Sequence, residues 1–316
     1  MKTIKILGLL ASLSFVLISC NSNSQTIDNK QIKEAITQPD EIRGDCKKAK
    51  ETGTIEAYNA FIKKYPKSEF TDTILKLRNE LDTVKPDLKF KQTQLKWENA
   101  KLAYSEKEPL VKELLKSKEI DYETLETFIR VIKSEQILEI WAKDRKNNLT
   151  YQLIKTYNLC VTKNTDKLRG IDLLVPESFY YIANFYPFSP YMLRLEINFP
   201  NESDKKRGRS GGDIAIHGGC FSTYCTPFTD EDIKEIYIFA VEAKAKGISQ
   251  VPVHNYPYRM TEENFKKYSS DPKYKDDAKR IALWENMKEN YQYFEQHKQL
   301  QAFTVDSKGK YIYKKN

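Results

Sequence analysis

The sequence is poor in the residues that hold metals. Histidine occurs only three times in 316 residues, and none of the five cysteines forms a Cys-x-x-Cys pair. A structural zinc site needs four such ligands at characteristic spacing, so no metal is expected. The glycine-rich stretch around Gly211 to Gly219 lacks both the order and the lysine of a phosphate-binding loop. Nucleotide chemistry is thus left without support, and no cofactor is implied. Clustered basic charge is missing too. Lys and Arg outnumber Asp and Glu by 52 to 44, for a net +8, but they are spread along the chain, which is not the pattern of a nucleic-acid binder. What remains is a mild attraction to anionic polymers and headgroups. At 40% hydrophobic and 30% charged residues, the composition suits a globular protein and not a membrane bundle. The length allows a large domain beside a smaller one.

The first twenty residues stand apart. Lys2 and Lys5 flank the start of an apolar run, Ile6 to Ile18, that is too short to span a bilayer comfortably. This is the layout of a signal peptide over 1–19. Its ending, Leu17-Ile18-Ser19-Cys20, resembles a bacterial lipobox. The resemblance implies cleavage before Cys20 and lipid attachment to that cysteine, and several acyl chains on one residue anchor stably where one chain binds only marginally. Asn21 and the serines and asparagine behind it carry no acidic cluster. The expected location is the periplasmic side of the outer membrane, with the membrane reached through the lipid.

Residues 20–40 are polar and low in aromatics, the composition of a tether. A helical region is expected over 41–104. Ile55, Tyr58, Phe61, Ile62 and Tyr65 share one face at helical spacing, and Pro66 stops that helix. A second amphipathic stretch carries Phe70, Ile74, Leu77 and Leu81. Together they resemble one tetratricopeptide unit, although such units need neighbours to bury their faces. Helical patterning continues at 94–104, 108–118 and 122–132. From Ile137 the texture becomes strand-like, with strands expected at 136–142, 149–160, 178–184, 191–198, 213–217 and 250–256. A helix capped by Thr229 runs toward Gly247, and charged helices over 262–298 and a hairpin at 302–314 complete the chain. The expected fold is α+β: a mostly-β catalytic domain with flanking helices over 105–316, behind a small α-helical region.

Chemistry concentrates in the segment from Gly211 to Cys225, which contains Asp213, His217, Gly218, Gly219, Cys220, Ser222 and Tyr224. An apolar strand delivers His217 into a glycine-flanked turn followed by a cysteine, a serine and a second cysteine. Glycines beside the imidazole let a backbone or a substrate come close. A thiol needs a base to become a useful nucleophile, and N–H groups of the turn around Cys225 can hold an oxyanion. A cysteine packed near a histidine in a core would read the same way, so the residues alone leave catalysis and packing both open. Asp213 is placed to share a face with His217 and orient it. His254, in an apolar strand, reads as a packed core residue, and His297, in a charged helix, as solvated.

This stretch resembles the catalytic motif of the L,D-transpeptidase family (the YkuD-type domain), in the branch where Ile-His-Gly-Gly-Cys is closely followed by a serine and a second cysteine. Further matches to that branch are Ile137-Leu-Glu-Ile-Trp, Leu153-Ile-Lys-Thr-Tyr-x-x-Cys, Val175-Pro-Glu-Ser-Phe-Tyr-Tyr-Ile, Ile197-Asn-Phe-Pro-Asn with Asp204, and Pro252-Val-His-Asn-Tyr-Pro-Tyr-Arg-Met. The likeness covers roughly residues 105–265.

The resemblance implies that Cys225 is the nucleophile and His217 its base. Ser222, Tyr224, Gly218 and Gly219 would surround the oxyanion and substrate, and Cys220 would be structural. The implied reaction is thiolate attack on the carbonyl of the third-position diamino acid of a peptidoglycan stem peptide, expelling D-alanine; an amine then resolves the thioester, or water does in a hydrolase. A wall-linked protein is a further substrate that the branch suggests. The sequence departs from the family where Tyr224 replaces the glycine before the nucleophile. It departs again at Ser178 and in lacking an arginine shortly after Cys225. A hydrolase, or a peptidoglycan-binding lipoprotein that has lost turnover, are therefore the competing readings.

Overall fold

The computed structural model describes residues 29–82, 84–160, 175–220, 222 and 224–314. The signal peptide, Cys20 and the start of the expected tether lie outside the described residues. The rest of that tether is a correction: helix α1 spans Asn29–Thr52. Lys, Gln, Glu and Ala are good helix formers, so polar composition alone does not make coil. With α2 (Ile55–Lys64) and α3 (Thr71–Leu81) it builds a small core from Cys46, Ala49, Tyr58, Phe61 and Ile74. Arg78, which donates to the Arg145 carbonyl at 2.8 Å, and Asp82, which pairs with Arg145 at 2.9 Å, fasten this unit to the larger one behind it.

The expected domain boundary at 104/105 falls inside a helix. After α4 (Leu88–Gln94), α5 runs unbroken over Glu98–Lys116, with Pro109 inside it. Proline in a helix interior costs about 3 kcal/mol. Ala100, Ala103, Tyr104, Val111 and Leu115 nevertheless lie buried in the main core, and burying a Val or Leu side chain contributes roughly 1.5–3 kcal/mol each. Packing wins, and the two helices expected over 94–118 are one.

The second correction lies at 122–132. After a 3-10 turn at Tyr122–Thr124, Leu125–Ile132 is a strand, β1, not a helix. Leu125, Phe128, Ile129 and Ile132 fall at helical spacing, but a strand buried on both faces cannot be told from a helix by periodicity. β1 pairs antiparallel with β2 (Ile137–Asp144) and parallel with β8 (Pro252–Tyr256). The remaining strands are β3 (Asn148–Asn158), β4 (Ser178–Ser189), β5 (Met192–Ile197), β6 (Ala215–His217) and β7 (Thr226–Pro227). The eight-stranded sheet has the order β3-β2-β1-β8-β4-β5-β6-β7.

Helix α7 (Asp230–Ala245) lies within the curl of this sheet. Its Phe239 carbonyl meets Thr127 of β1, and its Glu235 takes Lys155 and Tyr157 of β3. Because the sheet wraps around the helix, its two edges meet. The Cys160 amide, just past β3, donates to the Pro227 carbonyl of β7 at 2.9 Å, and Cys160 is disulfide-bonded to Cys220. On the other face, α8 (Glu262–Ser269), α9 (Ala278–His297) and a hairpin of β9 (Phe303–Val305) with β10 (Tyr311–Tyr313) cover a second core around Tyr256, Trp284, Met287 and Tyr311. Short α6 (Glu202–Lys206) comes after β5. The α+β architecture is as expected, and among the described residues no helix is long and apolar enough to cross a membrane.

Candidate active site

Strand β6 carries His217 because Ala215 and Ile216 are drawn into the core beneath it. The next two positions must be glycine. A Cβ on Gly218 would lie 2.7 Å from Asp230 Oδ1 and 2.8 Å from the Tyr191 carbonyl oxygen, inside contact distance. Gly219 has φ +81°, where side chains are rarely tolerated. Both amides are already engaged, Gly218 N–H with the Leu193 carbonyl at 3.2 Å and Gly219 N–H with Asp230 Oδ1 at 2.9 Å. In this arrangement neither is free for the oxyanion role expected of them; they shape the turn.

Cys225 ends that turn and leads into edge strand β7. Its amide donates to Ser222 Oγ at 2.8 Å, so Ser222 ties the turn together from within. The thiol donates to the Asp213 carbonyl at 3.5 Å, and the Ala215 amide donates to the sulfur at 3.4 Å. Among the described residues no acceptor meets the Tyr224 amide. The Tyr224 side chain is exposed, at 57%, on the rim of the cleft.

His217 is 3% exposed, with the Tyr191 ring 4.7 Å away. Its Nδ1 lies 2.6 Å from the Gly218 carbonyl. A carbonyl only accepts, so Nδ1 carries the proton and the neutral ring keeps its lone pair on Nε2. Burial lowers the imidazole pKa below its ordinary value, the Gly218 bond opposes that, and nearby Arg194 lowers it further. At neutral pH the ring is a base in waiting, not a standing imidazolium.

Asp213 does not orient the histidine. Its φ is +63°, which cuts the expected strand short at Ala215, and its carboxylate is exposed and ion-paired to Arg194. Arg194 is the residue that sequence reasoning missed. It sits directly opposite His217 in the β5–β6 ladder, on the same face, with its guanidinium 4.8 Å over the Tyr186 ring. Its signal was the alternation Leu193-Arg194-Leu195-Glu196-Ile197, which puts Arg194 on the face away from the buried leucines. Arg194, His217, Ser222, Tyr224 and Cys225 line one cleft of about 640 Å³. Cys220 is held in the Cys160 disulfide, and Cys225 is free. Among the described residues no cluster suited to a metal occurs.

His254 is buried in the core as expected. His297 is partly covered, its ring 4.5 Å from that of Tyr293.

No protein-family model matches the chain. It is 34% identical over 194 residues to "Putative L,D-transpeptidase YafK" of Escherichia coli (strain K12), a stretch covering 60% of this chain and 74% of that protein. The protein of the same name in Escherichia coli O157:H7 matches to the same extent. Among solved structures, the helical cell shape determining protein Pgp2 from Campylobacter jejuni aligns with a TM-score of 0.32 at 16% identity, over 58% of this chain and 73% of that one. Bd1075 from Bdellovibrio bacteriovorus gives 0.32 at 16%, over 60% and 77%. These structural likenesses are too slight to add to the sequence match.

Proposed function

The chain belongs to the L,D-transpeptidase family, and from that premise we propose that it is a cell-wall acyltransferase working on peptidoglycan stem peptides through a Cys225 thioester. The observation that carries this reading is a buried, neutral His217 with its Nε2 lone pair free, lining the same cleft as the Cys225 thiol.

In the proposed cycle the thiol leaves the Asp213 carbonyl and gives its proton to Nε2. Sulfur then adds to the carbonyl of the third-position diamino acid. The Tyr224 amide, unlike those of Gly218, Gly219 and Cys225, meets no acceptor among the described residues and takes the oxyanion. Collapse breaks the C–N bond, and His217 returns the proton to the departing D-alanine amine. An acceptor amine then attacks the thioester, passing its proton through His217 to the leaving thiolate. Arg194 offers the cleft a cation for a substrate carboxylate, in place of the arginine the sequence lacks after Cys225. Water instead of the amine gives hydrolysis from the same intermediate.

The reading extends to location. A lipid on Cys20 would hold the enzyme at the outer membrane facing the periplasm, and a disulfide at Cys160–Cys220 suits an oxidising compartment.

The test is mass analysis of muropeptides incubated with purified protein, with and without an acceptor amine. Expected are D-alanine release, an adduct on Cys225, and crosslinked product only when the amine is present. Absence of both release and adduct would overturn the proposal.

A further inference from the structure

A second cavity, of about 320 Å³, opens beside the cleft. Strand alternation fixes its position. Phe179 of β4 pairs with His254 of β8, and Arg194 of β5 with His217 of β6, while their neighbours Tyr180, Val253, Leu195 and Ile216 belong to the core on the α7 side. Cavity and cleft therefore share one face of the sheet. Only the loop after β5 separates them: Asn198 lines the cavity, and the next residue, Phe199, lines the cleft.

The lining chemistry is selective. Among the described residues no lysine or arginine borders the cavity, and its titratable groups are Glu202, the tyrosines and His254. Glu202 is ion-paired to Lys206 at 2.7 Å. Lys206 also donates to the Val305 carbonyl at 3.3 Å, so among the described residues the lining offers an anionic ligand no unpaired cation. The walls are aromatic, with the Phe179 ring 4.6 Å from Tyr311 and 5.3 Å from Phe303. Between them stand unmatched polar groups. Gln301 has a buried side-chain oxygen with no donor among the described residues. His254 is 4% exposed; its Nδ1 lies 3.4 Å from Tyr256 Oη, which donates to Asn290 Oδ1, so Nδ1 carries the proton and Nε2 keeps the lone pair. The Asn198 oxygen is taken by the Tyr181 amide, which leaves its N–H groups as donors. Aromatic faces with neutral acceptors and amide donors suit a ring that has one apolar face and a rim of hydroxyl and amide groups. The volume sits at the small end of ligand pockets, roughly 300–1,000 Å³, room for one ring and not a chain.

We propose that this cavity is a sugar subsite that holds one N-acetylated hexosamine ring, beside the cleft that takes the peptide. That this sugar belongs to the glycan bearing the stem peptide rests on the function proposed above; the pocket's preference for a neutral sugar does not.

The test titrates N-acetylglucosamine into the full-length chain, read by saturation-transfer NMR, and measures Cys225 acylation by a sugar-free stem peptide in parallel. Wild-type protein and Cys225→Ala should bind the sugar equally and saturably. Gln301→Leu and Tyr181→Ala should each weaken binding at least fivefold while leaving acylation by the free peptide unchanged. Gln301→Leu removes an unmatched acceptor and should melt no lower than wild type; should it misfold, partly exposed Tyr181 carries the test. A wild type that acylates but shows no saturable sugar binding, or variants that bind as wild type does, would overturn the subsite. Sugar binding without acylation would keep the subsite and overturn the enzyme reading instead.

Discussion

Acidification should destabilise this protein through one buried histidine. His254 is 4% exposed and lies between the rings of Phe128 and Phe179, at 4.9 and 4.4 Å. Burial, with a smaller contribution from the Arg130 guanidinium, pushes its pKa down to about 3. In an unfolded chain histidine titrates near 6.5, so as pH falls the unfolded state binds the proton first. Above about pH 6.5 nothing is lost. Between about 6.5 and 3 stability falls by roughly 1.4 kcal/mol per pH unit, and below that window the loss saturates. Moving from about pH 7 to 4.5 crosses about two units, or roughly 2.7 kcal/mol, a large share of an ordinary stability of about 5–15 kcal/mol. The comparison is His254→Gln, which cannot take the proton. Each protein is melted in urea at both pH values, and the direct cost of the substitution cancels within each pair. Wild type should lose about 2–3 kcal/mol more than the variant on acidification. Equal losses would refute a buried, neutral His254.

Four further outcomes are expected. Because burial depresses the His217 pKa, wild-type acylation should hold as pH drops from about 7.5 to 6.5, and His217→Gln should slow it about 10²–10⁴-fold at either pH; an acylation rate that tracks an ordinary imidazole would count against the assigned base. Tyr224→Gly should leave the thermal melt within about a degree, since the ring is 57% exposed, and a changed acylation rate would show whether that ring crowds or builds the site. Cys160→Ser opens a 60-residue link and should lower stability in denaturant melts by about 4 kcal/mol on loop entropy alone, with slower acylation because the edge beside Cys225 is released. A chain beginning at Lys85 should fold and keep Cys225 reactive by peptide mapping, since the main core begins with α4 and α5; a folded but unreactive fragment would place the first three helices in the site.

The range of the forces involved decides which features the sequence disclosed and which it hid. Alternation and turn residues marked β2, β3, β5 and the final hairpin, and Thr229 marked the start of α7, because those signals are local. Strand β1 was misread because the helices that cover its two faces, α7 and α9, lie far along the chain and bury every position but Glu126. The helices expected at 94–104 and 108–118 proved to be largely one, α5, because the core that holds it straight through Pro109 is assembled from distant strands. That His217 and Cys225 belong to one stretch worth examining was legible as a motif, and both line the same cleft. Arg194 was not, since a lone arginine in a strand means nothing until the ladder sets it opposite His217. Asp213 failed for a local reason: its left-handed backbone turns the period-two rule off two residues before the strand begins at Ala215.

The seam between the two ends of the sheet bears on when this protein becomes competent. Cys160 and Cys220 lie 60 residues apart, and their link can close only after β3, the whole intervening sheet and the turn before Cys225 have found one another. A chain held in a reducing compartment keeps the thiols of Cys160, Cys220 and Cys225, with β7 fastened by its pairing to β6 and by backbone hydrogen bonds such as that from Cys160 to Pro227, but by no covalent link. Under the location and function proposed above, maturation has an order: folding, passage into oxidising surroundings, stitching, and only then a settled Cys225 turn. On that proposal the same chain would be idle toward any wall precursor met before export and active toward the finished polymer after it.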